Sequence, residues 1–97
     1  MNKLNAQDIA KLLGTIPKWK YMKSTSGESI YRKFEFKSFE TSWAFLTRVA
    51  MKSHKMGHHP KIINEYNMVE IELTTHDVKG LSELDFKMAK SLDKAAI

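Results

Sequence analysis

The sequence predicts an α+β fold, with a four-stranded antiparallel sheet, helices packed on one of its faces, and the element order α-β-β-α-β-β-α. Two observations carry this prediction. Short segments in which apolar and polar residues alternate come in two pairs, each joined by a polar link, and each pair reads as a hairpin. Longer segments carry apolar residues at helical spacing behind good N-cap residues. Hairpins that alternate with helices give an antiparallel sheet with the helices on one side. At 97 residues the chain is expected to form one domain, residues 1–97.

The elements follow in order. Asn5 caps a first short helix, with Asp8 three residues on and Ile9, Leu12 and Leu13 on one face; Gly14 and Pro17 end it. KWKYM then alternates, with Trp19 and Tyr21 on one side, and reads as a strand. STSGES is a turn. In SIYRKFEF, Ile30, Phe34 and Phe36 share one face and Tyr31, Lys33 and Glu35 the other. Ser38 caps the longest helix, whose apolar face is read as Phe39, Trp43, Phe45, Leu46, Val49 and Ala50, with Gly57 as its C-terminal cap. IINEY is a third strand, and Asn67 turns the chain. MVEIELTTH is the fourth strand, with Val69, Ile71 and Leu73 opposite Glu70, Glu72, Thr74 and His76. Ser82-x-x-Asp85 opens a last helix that carries Phe86, Ala89 and Leu92.

Composition narrows the function classes. The chain has no cysteine, which excludes disulfides, thiolate metal sites and a cysteine nucleophile. The start MNKLNAQDIA has no apolar run of the kind a signal peptide needs, and no segment has the length of a membrane span, so the cytoplasm is the expected location and no membrane partner is expected. The net charge of +5 comes from lysines scattered along the chain rather than from a basic run. That distribution reads as solvated faces, and no nucleic-acid partner is expected.

Three of the four histidines fall in the stretch from Gly57 to Asp85. His58 and His59 leave the long helix and enter the third strand at its start, while His76 ends the fourth. If those strands pair as a hairpin, the start of one lies opposite the end of the other, and the three imidazoles meet at one edge of the sheet. Each histidine taken singly fits a structural role. Together they also fit a three-histidine metal site or metal-free acid–base chemistry, with Asp77 or Asp85 orienting a ring. Spacing alone leaves these readings open.

The string His54-x3-His58-His59-Pro60-x5-Tyr66-x9-His76-x8-Asp85 resembles the signature of the pterin-4a-carbinolamine dehydratases. FETSWAFLTRVA before it and YNMVEIELTTHDVKGLSELD within it have the same character, so the resemblance runs from Trp19 into the last helix. The first signature position is often Glu in that family and is His54 here, so no carboxylate role carries over to it. The resemblance implies loss of water from a 4a-hydroxytetrahydropterin, with pterin as substrate and no cofactor or metal. His58 and His76 would be the acid–base pair, and His59 would hold the pterin and assist in catalysis. Gly57, Thr74, Thr75 and Asp77 would line the pocket beside them. His54 and Asp85 are supporting residues, with Asp85 capping its helix. Trp19 fits either a stacking surface for the ring or the core, and Tyr66 either the site or cross-strand packing. The resemblance further implies a homodimer or homotetramer and a functional link to an aromatic amino acid hydroxylase. Ala44 and Met51, off the main apolar face of the long helix, are candidate subunit contacts. A rival implication is a coactivator-type protein that binds a partner's helices.

Overall fold

The computed structural model describes residues 2–96. Helix α1 spans Ala6–Leu13, strand β1 Lys20–Ser24, strand β2 Gly27–Glu35, helix α2 Phe39–Met56, strand β3 Lys61–Glu65, strand β4 Met68–Leu73 and helix α3 Glu83–Ala95, with a 3-10 turn at His76–Val78 before α3. All strand pairings are antiparallel, and the sheet order is β1-β2-β4-β3. The α+β order and the four-stranded sheet read from the sequence are therefore those of the folded chain. The two hairpins meet through β2 and β4, where Ile30 lies opposite Leu73 and Phe34 opposite Val69.

Local chemistry sets the helix ends. The Asn5 side chain accepts from the Asp8 amide at 2.9 Å, and that of Ser38 accepts from the Thr41 amide at 3.1 Å. Gly57 takes a left-handed conformation, φ 62°, and its amide returns to the His54 carbonyl, closing α2. The β1–β2 turn is tighter than the sequence suggests, because Ser24 lies directly opposite Gly27 and only two residues connect the strands. Gly27, at φ 133°, also sits where an added Cβ would stand 2.8 Å from the Lys79 carbonyl oxygen. Glycine there lets the hairpin touch the turn that carries His76.

The core lies between one sheet face and the helices. Ile30, Phe34, Val69, Ile71 and Leu73 project from the sheet onto Phe45, Val49, Phe86, Ala89 and Leu92, and all of these are buried. The Phe45 ring lies 4.8 Å from that of Phe34 and 5.0 Å from that of Phe36.

Several sequence expectations need correction. Trp19 lies just before β1 and is core: its ring meets Phe34 edge-on at 6.0 Å, and its Nε1 donates to Asp93 at 2.8 Å. It is not a stacking surface beside the histidines. Tyr66 does not pack across strands; it occupies the β3–β4 turn at φ 51° and is 64% exposed. His76 does not end β4, which stops at Leu73, but opens the 3-10 turn. Phe39 and Trp43 do not face the sheet. Both are about half exposed, at 50% and 51%, and Ala50 is exposed beside them. The inward face of α2 is Ser42, Phe45, Leu46, Val49 and Ser53. The two serines can be buried because each hydroxyl donates to the carbonyl four residues back, at 3.0 Å to Ser38 and 2.7 Å to Val49. A count of apolar residues alone rotates the helix away from its true packing face.

Candidate active site

The site is built where the two hairpins meet, at the end of the sheet at which β2 begins and β4 ends. The cap at Gly57 turns the chain out of α2, so that His58 and His59 precede Pro60 and β3. His58 points inward and is 8% exposed. Its Nε2 lies 2.6 Å from Oδ1 of Asp85, whose side chain is fully buried. The other carboxylate oxygen of Asp85 accepts from the Thr75 hydroxyl at 2.7 Å and from the Ser82 amide at 3.0 Å. Thr75 and Ser82 also share a hydroxyl contact of 2.8 Å. Asp85 thus caps α3, as expected, and also ties the loop after α2 to the segment after β4. A buried carboxylate needs several donors, and here it has three, one of them an imidazole nitrogen.

His59 and His76 are exposed and line one cleft of about 250 Å³ on the sheet face that the helices leave open. Its floor is Ser29 of β2, Lys61 of β3, and Glu72 with Thr74 at the end of β4. Its far walls are the β1–β2 turn, through Ser24, Ser26 and Gly27, and Lys79. The Thr74 hydroxyl donates to the Glu28 carbonyl at 2.6 Å, and Thr75 bridges to Gly80, so the wall bearing His76 is braced on both sides. Both imidazoles can exchange protons with a ligand bound there, and the serine and threonine hydroxyls and the two lysines add donors.

Of the residues picked from the sequence, His59, Thr74 and His76 line the cleft. His58 and Thr75 lie behind it on Asp85. Gly57 is an exposed helix cap, Asp77 is exposed within the 3-10 turn, and His54 is exposed at the end of α2. Ser29, Lys61, Glu72, Lys79 and the β1–β2 turn were not picked. The polar parity of Glu72 was legible, but the contribution of β1 and β2 depends on the pairing of β2 with β4. Among the described residues, no three His, Asp or Glu side chains converge as a metal ion would require, and no helix is long and apolar enough to cross a membrane.

The sequence and the fold of this chain are matched by known proteins. Residues 2–95 match the family described as pterin 4 alpha carbinolamine dehydratase. A protein of Sinorhizobium medicae named "Putative pterin-4-alpha-carbinolamine dehydratase" is 45% identical over 94 residues, which cover 97% of this chain and 88% of the relative. A Synechococcus protein of the same name is 45% identical over 82 residues, 84% of each chain. Among solved structures, a transcriptional coactivator/pterin dehydratase from Brucella melitensis superposes with a TM-score of 0.90 at 35% identity, covering 99% of this chain and 100% of that one. A pterin dehydratase-like protein described as a RuBisCO assembly factor in the alpha-carboxysome superposes with a TM-score of 0.72 at 26% identity, over 81% of this chain and 89% of that one. The chain belongs to the pterin 4 alpha carbinolamine dehydratase family.

Proposed function

We propose that this protein is a 4a-hydroxytetrahydrobiopterin dehydratase, which removes water from the pterin-4a-carbinolamine to give quinonoid dihydropterin by histidine acid–base catalysis. The observation that carries the proposal is the placement of His59 and His76 on one cleft, with His58 held on buried Asp85 at its back. In the reaction the C4a–O bond breaks while N5 loses its proton and the C4a=N5 double bond forms. The oxygen must leave as water, so one group gives it a proton and another takes the proton from N5. Imidazole titrates near neutral pH and can do either, and each positioned transfer contributes on the order of 10²–10⁴-fold.

In this reading His58 and His76 are the acid–base pair. The Asp85 carboxylate holds the His58 ring through Nε2, which leaves Nδ1 as the nitrogen for the proposed proton exchange. His59, at the cleft, holds the pterin and assists. Backbone groups of Gly57 and of Thr74 to Asp77 take the flat aminopyrimidinone edge, and His54 supports the site from the end of α2. The pterin is the substrate, and the reaction needs no cofactor or metal. The product is the species a reductase would recycle for an aromatic amino acid hydroxylase.

The chain is further proposed to act as a homodimer or homotetramer. Phe39 and Trp43 pack edge-on at 6.2 Å on the outer side of α2 with Ala50 exposed beside them, and Ala44 and Met51 are exposed on a second side, so the helix carries apolar residues that its own sheet leaves open. The same outer surface supports a second reading, a coactivator-type protein that grips a partner's helices, and the name of the Brucella melitensis neighbour points the same way. His58→Ala separates the two, because it stops dehydration and leaves helix binding untouched. The dehydratase reading is tested by adding the purified chain to freshly generated 4a-hydroxytetrahydrobiopterin and following formation of the quinonoid product.

A further inference from the structure

The cleft floor contains a carboxylate that the proposed chemistry does not use. Glu72 projects from β4 on the same side as Thr74 and lines the cleft together with His59 and His76. Its strand partners are Tyr31 on β2 and Lys61 on β3. The neighbouring carboxylate, Glu70, is already engaged by the Tyr31 hydroxyl at 2.6 Å. Glu72 is different: among the described residues it makes no ion pair and no side-chain hydrogen bond, not even with Lys61 directly across the ladder. The floor therefore offers an unengaged acceptor and an unengaged donor on neighbouring strands, both lining the cleft. With the aminopyrimidinone edge held by the segment after β4, such a pair is left for another part of the ligand.

We infer that Glu72, with Lys61 beside it, binds the hydroxylated C6 substituent of the pterin, so that the cleft selects a diol-bearing pterin over one with a plain alkyl group. The inference rests on the reading of this cleft as the pterin site. In that reading the aminopyrimidinone edge lies toward the segment from Thr74 to Asp77, and the histidines act at C4a and N5. C6 is bonded to N5, so its substituent leaves the ring on the side away from that edge, over the inner part of the floor. Adjacent hydroxyls suit what they meet there. Each O–H can donate to the carboxylate while its oxygen accepts from the ammonium, and hydrogen bonds to charged groups are the strong ones. Their loss is expected to change affinity about tenfold or more.

The test is equilibrium binding of two unreactive pterins, biopterin and 6-methylpterin, followed by their fluorescence, to the wild type and to Glu72→Ala and Glu72→Gln. Glu72 lies outside the core on the open face, and a thermal unfolding scan of each variant checks that the fold is retained. The wild type is expected to bind biopterin about tenfold more tightly than 6-methylpterin. Glu72→Ala should erase that preference by weakening biopterin alone, and Glu72→Gln, which keeps one acceptor oxygen, should fall between. Equal wild-type affinities, or an equal loss for both pterins in Glu72→Ala, would overturn the inference while leaving the pterin site standing. Binding of neither pterin to the wild type would overturn both.

Discussion

His58 and Asp85 stand 27 positions apart in the chain and meet through a 2.6 Å contact between Nε2 and Oδ1 that is almost closed to solvent. This contact joins three elements, because Asp85 also accepts from Thr75 after β4 and from Ser82 at the start of α3. One carboxylate thereby caps a helix, orients an imidazole and fixes the segment that presents His76.

Removal of that carboxylate has a structural and a chemical consequence. Asp85→Ala leaves an imidazole nitrogen, a hydroxyl and an amide without their acceptor in a buried setting. The expected loss is about 3 kcal/mol of stability, since breaking a buried pair costs roughly 3–5 kcal/mol. Urea unfolding measures it. Asp85→Asn keeps the size and one acceptor oxygen, so it should retain more stability than Asp85→Ala while still impairing turnover through a misoriented His58. Equal stability of Asp85→Ala and wild type contradicts the bridging role.

His59 is predicted to act mainly in binding. It lines the cleft and, among the described residues, has no side-chain hydrogen bond that fixes its ring as His58 does. His59→Ala should therefore raise KM by a larger factor than it lowers kcat. Steady-state kinetics decide the point, and a loss confined to kcat would place His59 in the proton transfers instead.

Exhaustive chelation should leave activity unchanged. Carbinolamine dehydration needs proton donors and acceptors near neutral pH, and imidazoles supply both. The comparison is the rate before and after chelator treatment and dialysis, with a zinc add-back. Activity that falls on chelation and returns with zinc would establish a metal-dependent site.

Assembly is predicted to use the outer side of α2. Met51 is 68% exposed, and Ala44, seven residues earlier, lies on nearly the same side of the helix. Sedimentation of the wild type at micromolar concentration should show a homodimer or homotetramer. Met51→Glu should weaken it, because a new unpaired charge would be buried in the contact, and should leave the subunit folded. A monomeric wild type contradicts assembly altogether. An oligomer indifferent to Met51→Glu would place the contact at a sheet edge, where β3 exposes Ile62 and Ile63.

Much of this fold was legible from local chemistry. Asn5, Ser38 and Gly57 mark helix ends by side-chain type or by the need for a positive φ, and period-two alternation set which side of β2 and β4 faces the core. The placement of His59 and His76 on one cleft followed from antiparallel pairing of β3 with β4, whereas His58 turned inward onto Asp85. What escaped depends on contacts remote in sequence or on polar residues that satisfy themselves. Ser42 and Ser53, absent from the apolar face read for α2, are buried. Trp19 read as part of a strand and is instead anchored by Asp93, 74 positions away. Asp85 read as a cap and is also the partner of His58. The wall formed by the β1–β2 turn needs the β2–β4 pairing, which no local pattern announces.

The most direct test of the account is the rate of water loss from freshly generated 4a-hydroxytetrahydrobiopterin with wild type, His58→Ala and His76→Ala, each variant checked for its fold by circular dichroism. The account predicts that the wild type accelerates the reaction well above buffer and that each substitution removes on the order of 10²-fold or more of that acceleration while the fold is retained. Wild-type rates in both folded variants, or no acceleration by the wild type itself, would contradict it.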